Sequence, residues 1–132
     1  DPRSFHVDDQ GKLWVIDFED GFFRFDDATG DFARQSPIRD KGSAMAIDSR
    51  RSRSWFLHYT RGLHLERPNA SGHFFDLGQL EYMRALLLDR DGSVWVGGWN
   101  ALVHIEPRAD GSFEKTVLEA TSDRLAQGVK PL

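Results

Sequence analysis

The 132-residue sequence contains no cysteine. That excludes disulfide scaffolds, thiolate metal sites and thiol nucleophiles, and leaves the compartment open. Long apolar runs are also missing. Stretches such as Ala85-Leu86-Leu87-Leu88 fall far short of the roughly 20 residues that a bilayer-spanning helix needs. Direct membrane insertion by this segment is therefore not expected. No window sustains apolar residues at i, i+3, i+4 and i+7 between caps, so helices should be few. Positive charge is not in excess: 17 Lys+Arg stand against 21 Asp+Glu, for a net charge of -4, which argues against nucleic acid as a partner. P-loop, GxGxxG and GxSxG motifs are absent, and no cofactor is expected. The chain opens Asp1-Pro2 without Met or a signal-peptide pattern and stops at Pro131-Leu132, which reads as a processed or excised piece.

Aromatics and glycine are plentiful: ten Phe and four Trp accompany twelve Gly, a mixture that suggests short strands and tight turns. Much of it is periodic. Trp14, Trp55 and Trp95 follow one another at 41 and 40 residues, and each is preceded by an apolar residue and an Asp: Val7-Asp8, Ile47-Asp48 and Leu88-Asp89. Between Asp and Trp lies a turn, Asp9-Gln10-Gly11, the longer Ser49-Arg50-Arg51-Ser52, or Arg90-Asp91-Gly92. Gly21-Phe22, Gly62-Leu63 and Ala101-Leu102 come next, the third copy being one residue shorter there. Acidic turns then lead to Gly30, Gly72 and Gly111, each followed by Phe32, Phe74 or Phe113.

Each unit predicts four strands. The first strands are Ser4–Val7, Ala44–Ile47 and Ala85–Leu88, and the second are Lys12–Asp17, Arg53–His58 and Ser93–Gly98. The third are Phe22–Phe25, Leu63–Glu66 and Leu102–Ile105, and the fourth Asp31–Gln35, His73–Leu77 and Phe113–Leu118. Leu80–Leu88 has some helical character, but the register argues for a loop and then a strand. Four strands in about 40–45 residues form one blade of a β-propeller. A single sheet has two faces to cover, and the neighbouring blade covers them, with the Trp residues filling the gaps. A β-sandwich also uses short strands but needs no sequence period. The expected fold is all-β: a β-propeller segment of about three four-stranded antiparallel blades, at about 3–36, 43–77 and 84–119. Residues 120–132 would connect into a partial fourth first-strand at the C-terminus, because Val129-Lys130-Pro131-Leu132 aligns with Met83-Arg84-Ala85-Leu86.

Asp89-Arg90-Asp91-Gly92-Ser93-Val94-Trp95-Val96-Gly97 resembles the two-component regulator propeller repeat. So does Asp8-Asp9-Gln10-Gly11-Lys12-Leu13-Trp14-Val15 with the later Gly21-Phe22-Phe23-Arg24-Phe25-Asp26. The middle copy departs from it, lacking the turn Gly and carrying Phe56-Leu57 where Val-Gly is typical. WD40 blades place Asp after Trp, whereas Val15, Phe56 and Val96 follow here, and kelch glycine pairs occur only at Gly97-Gly98. The resemblance implies a bacterial sensory ectodomain, periplasmic or extracytoplasmic, similar to those of hybrid histidine kinases and diguanylate cyclases. It implies a non-catalytic, ligand-sensing role in signal transduction, with an oligosaccharide as one ligand class. A repeat that specifies a fold does not specify a ligand.

Candidate ligand residues fall in the loops between second and third strands: Asp17-Phe18-Glu19-Asp20, His58-Tyr59-Thr60-Arg61 and Gly98-Trp99-Asn100. Each has an aromatic at one position, Phe18, Tyr59 or Trp99, with polar neighbours Glu19, His58, Arg61 and Asn100. Aromatic faces beside acid, amide and guanidinium groups suit sugars; recurrence at one blade position is also what packing produces. Arg3, Arg84 and Lys130 share a position at the entrance of the first strand, where cations attract anions, although solvated surface charge is the commoner case. Arg39, Asp40, Glu81 and Tyr82 lie in the adjoining connections and could join either site. Asp89-Arg90-Asp91-Gly92 offers two carboxylates, too few for calcium, and reads as an Asp-capped turn. The five His show no zinc spacing, and His64 and His104 read as structural. No metal is expected.

Two other functions compete with sensing. One is a protein-interaction scaffold. The other is a propeller lyase, for which His58 is the one His in the candidate loops. Three blades leave two open flanks. The expected partners are a small-molecule or oligosaccharide ligand, and either the remaining blades of a longer parent chain or a homodimer that closes the ring.

Overall fold

The computed structural model describes residues 2–35, 40–77, 80, 82–99 and 101–119. Among them are twelve strands in three separate sheets. The first sheet holds β1 (Pro2–Val7), β2 (Leu13–Asp17), β3 (Gly21–Asp26) and β4 (Asp31–Arg34). The second holds β5 (Gly42–Asp48), β6 (Arg53–His58), β7 (Gly62–Glu66) and β8 (His73–Asp76). The third holds β9 (Ala85–Leu88), β10 (Val94–Gly97), β11 (Ala101–Pro107) and β12 (Phe113–Glu119). Every sheet is an antiparallel meander in chain order. The strands match the expected ones within about two residues at each end, and the segment after Leu80 is loop and then strand, as the register required. The expected fourth first-strand lies outside the described residues.

The core sits between the blades. Strand alternation sends Trp14, Ile16 and Phe22 of blade 1 to one side, where they meet Met45 and Phe56 of blade 2. The Trp14 and Phe56 rings are 5.8 Å apart. Trp55, Leu57, Leu63 and Leu65 leave the other face of blade 2 and pack on Val94, Val96, Val103 and Ile105 of blade 3. Trp55 is fully buried, 6.2 Å from Phe113 of the third blade.

Trp95 faces the corresponding side of blade 3, beyond which no further blade is described. It points away from blade 2, is half-buried, and stacks on His104 at 4.1 Å. The same face of blade 3 exposes Leu87, Leu102 and Leu118, and the opposite outer face, on blade 1, exposes Phe5, Val7 and Phe32.

Turn chemistry explains how the degenerate middle copy still folds. In the β1–β2 turn Asp8 accepts from the Gln10 and Lys12 amides and from Trp14 Nε1, all at 2.9 Å. Gly11 and Gly92 take the left-handed conformation at φ 76° and 87°. Ser52 occupies the corresponding place in blade 2 at φ 54°, a conformation that costs a non-glycine residue about 1 kcal/mol or more. The extra residue of that turn also moves Asp48 out of reach of Trp55. Asp48 pairs instead with Arg51 at 3.1 Å, and Trp55 Nε1 is buried with no partner among the described residues. In the β7–β8 turn the left-handed residue is Asn69 (φ 62°), where the sequence suggested Gly72. Gly72 matters through close packing instead, since a Cβ there would lie 2.9 Å from the His64 ring.

Three substitutions test this packing by urea unfolding. Ser52→Gly should stabilise the chain by about 0.5–1 kcal/mol, by relieving the left-handed strain. Trp55→Ala should cost about 3–5 kcal/mol. Trp95→Ala should cost roughly 1 kcal/mol in this chain, because its face is uncovered; equal losses at the two positions would contradict the described packing.

Candidate functional site

The meander puts the β2–β3, β6–β7 and β10–β11 turns at the same end of the molecule as the blade-to-blade connections. At that end four aromatic rings from three blades form an arc. Phe18 lies 5.4 Å from Tyr59, Tyr59 lies 5.6 Å from Tyr82, and Tyr82 lies 6.2 Å from Trp99. Each ring has a local cause. Asp17 Oδ1 accepts from the Glu19 and Asp20 amides at 2.8 and 2.9 Å, which closes the tight turn that carries Phe18. The Tyr59 backbone is held by both neighbouring connections: its N–H donates to Lys41 O at 3.0 Å and its carbonyl accepts from the Met83 amide at 3.2 Å. Tyr82 stands in the left-handed region at φ 52° and is 50% exposed. Trp99 is 76% exposed, the largest open aromatic surface among the described residues.

Cations complete the arc. The Arg84 guanidinium donates to the Tyr59 hydroxyl at 3.1 Å and lies 5.5 Å from the centre of its ring. Lys41 Nζ lies 5.6 Å from the centre of Phe18. Two adjoining hollows share Tyr59 and Arg84. One, of about 480 Å³, is lined by Tyr82, Ala85, Gly97, Gly98 and Trp99; the other, of about 310 Å³, is lined by Phe18, Gly42 and Ser43. Ser43 stands at the blade-2 position equivalent to Arg84, and its hydroxyl donates to Met83 O at 2.7 Å, tying the second blade to the connection. The result is an open groove lined by mutually tilted rings, with the Arg84 guanidinium shared between its two hollows.

Of the residues singled out in the sequence, Phe18, Tyr59, Trp99 and Arg84 come together here. Glu19 is exposed on the turn beside Phe18. Arg61 is drawn aside to Asp40, 3.4 Å away, and lines neither hollow. Asn100 lies outside the described residues, as do Arg39, Glu81 and Lys130, and the Arg3 side chain is not described. His58 does not reach the groove. It ends β6 fully buried, edge-on to Phe22 at 5.4 Å, and neither ring nitrogen finds a hydrogen-bond partner among the described residues. Strand alternation is the reason: His58 shares the inward face of Phe56, and the turn begins one residue later. Tyr82, named from the sequence for its place in the adjoining connection, joins the arc, although no periodic signal marked it. Lys41 and Ser43 were passed over, although the repeat register aligns Ser43 with Arg84.

Burial pushes the His58 imidazole below its ordinary value near 6.5; the His64 and Arg61 charges act in the same direction, and Asp40 opposes them. The folded chain thus resists a proton that the unfolded chain accepts. The stability contributed by neutral His58 is present above about pH 6.5 and is lost as pH falls below it toward the folded value. The urea midpoint should therefore drop between pH 7 and pH 5, and His58→Leu should flatten that drop; an unchanged pH profile in the variant would assign the effect elsewhere.

The Asp89–Gly92 segment is a turn. Asp91 Oδ1 accepts from the Ser93 amide at 2.9 Å and from its hydroxyl at 2.5 Å, and Gly92 takes φ 87° with Arg51 against it. Among the described residues no three His, Asp or Glu side chains group closely enough to hold a metal.

Fold and groove define a class: the described chain is a segment of a β-propeller, three blades long. The two component regulator propeller family model matches residues 77–100, the approach to blade 3 and its first two strands, and the resemblance read from the repeat is borne out there. Among solved structures, the chain superposes on one titled "Streptogramin B lyase structure" with a TM-score of 0.64 and 14% identity. The match covers 89% of this chain and 40% of that one, so the chain spans well under half of that structure's length. At this identity the likeness shows the fold alone. No curated protein matches the sequence.

Proposed function

We propose that this segment is a non-catalytic, ligand-sensing part of a bacterial sensor ectodomain on the external side of the membrane, and that its ligand is an oligosaccharide. The observation that carries this reading is the arc Phe18–Tyr59–Tyr82–Trp99 around Arg84. The open ring of Trp99, with the half-exposed Tyr82 beside it, offers a surface on which the apolar face of a sugar ring can stack. Arg84 supplies directional donors at the middle of the groove, and the Gly97-Gly98 floor leaves room for a bulky ligand. The repeat match supports the sensory setting. His58, the candidate side chain for a lyase, is buried and lines neither hollow, which supports reading the groove as a binding site.

A second reading, a docking site for a partner protein, draws on the same exposure of Trp99 and Tyr82, since aromatics of this kind anchor protein interfaces. Calorimetry with a panel of neutral and acidic oligosaccharides separates the two. Saturable binding that weakens about tenfold or more in Trp99→Ala and stays unchanged in Arg61→Ala supports the sugar reading. No binder in the panel, together with a protein partner retained only by intact Trp99, replaces it with the second.

The apolar outer faces of blades 1 and 3 belong to the same proposal. Phe5 and Val7 on one outer face, and Leu87 beside Trp95 on the other, are exposed at positions whose equivalents between blades 1 and 2, and 2 and 3, are covered by the neighbouring blade. Further blades, from the parent chain or from a second copy, fit these faces. Light scattering distinguishes the sources: a monomer at all concentrations removes the second copy.

A further inference from the structure

The end of the molecule opposite the aromatic arc carries a second cleft, between blades 2 and 3, with a volume of about 250 Å³. Its walls come from three turns, β5–β6, β7–β8 and β11–β12. Four arginines line it: Arg51, Arg53, Arg67 and Arg108. Two of them are neutralised. Arg51 pairs with the buried carboxylate of Asp48 at 3.1 Å, and Arg108 pairs with Glu114 at 3.0 Å. Arg51 also donates to Arg90 O at 2.8 Å, which fixes it across the blade boundary.

Arg53 and Arg67 have no carboxylate partner among the described residues. Arg67 Nη2 donates to Ser71 O at 3.2 Å, and the guanidinium lies 5.8 Å from the centre of Phe113. Its Nε is buried and donates to nothing among the described residues, and the same holds for one terminal nitrogen of Arg53. A buried N–H without an acceptor is costly, and more so when it carries charge. The chain has four more acidic than basic residues, yet it leaves two neighbouring guanidiniums unpaired in one cleft. Two of the four arginines have a carboxylate partner among the described residues, and two, side by side, do not. Planar guanidinium forks match oxyanions in both geometry and charge.

We propose that this cleft binds a tetrahedral dianion, a phosphate or sulfate group, with Arg53 and Arg67 as its direct donors. The group enters from the turn end, independently of the aromatic groove. The cleft accommodates one such group and a small substituent, so the ligand is a monoester or the free ion and not an extended polyanion.

Calorimetry on the full-length protein tests this with inorganic phosphate, inorganic sulfate and glycerol phosphate at constant ionic strength, with chloride as reference. The expected result is saturable binding above the chloride response, at least about tenfold weaker in Arg53→Gln and in Arg67→Gln. A preference for phosphate or for sulfate identifies the source of the group. Arg53→Lys, which keeps the charge and loses the fork, should fall between wild type and Arg53→Gln and guards against a variant that fails to fold. Trp99→Ala should bind the anions as wild type does, so failure here and failure of the sugar reading are separable. Absence of saturation, a response equal to that of chloride, or unchanged affinity in a folded Arg53→Gln overturns the proposal.

Discussion

Burial of a second-strand tryptophan against the following blade is the contact on which the rest of this structure depends. A four-stranded meander has no interior of its own, since both of its faces look outward. Trp14 and Trp55 solve this by crossing to the next sheet, where they meet Phe56 and Phe113. A buried aromatic of that size contributes on the order of 4–6 kcal/mol by area. That is several times the roughly 0.2–1 kcal/mol of one cross-strand pair, so each blade draws a large share of its stability from its neighbour. Trp95 stacks on His104, its direct cross-strand neighbour in the same sheet.

Stacking by this contact also sets where chemistry can occur. The strands are committed to packing, with alternate residues spent on the two neighbouring blades. Only the turns are free, and antiparallel meanders sort them into two sets at opposite ends. One end gathers Phe18, Tyr59, Tyr82 and Trp99 around Arg84. The other gathers Arg51, Arg53, Arg67 and Arg108. Neither group is local in sequence. Each is assembled because successive blades present equivalent turns side by side.

The repeat made the fold legible because several anchors recur together: Asp, turn, Trp and the following apolar strand. Strand positions followed within about two residues, and the degenerate second copy obeyed them through Ser52, which accepts the strained conformation glycine would have taken. The candidate site was only partly legible. Phe18, Tyr59 and Trp99 were visible as one repeat position, and Arg84 as another, but their convergence was not. His58 was misplaced by a single residue, enough to turn it from the loop into the core, because strand alternation reverses the face at every step. Tyr82 carried no repeat signal at all.

By itself the sequence determined the period, the strand order within each blade and the residues that cover one blade with the next. These depend on local alternation and on turns that close within a few residues, and such patterns are written along the chain. Only the tertiary structure decided which turn residues meet and which arginines, among the described residues, lack carboxylate partners. Those outcomes depend on the angle and spacing between blades, and no single blade encodes them.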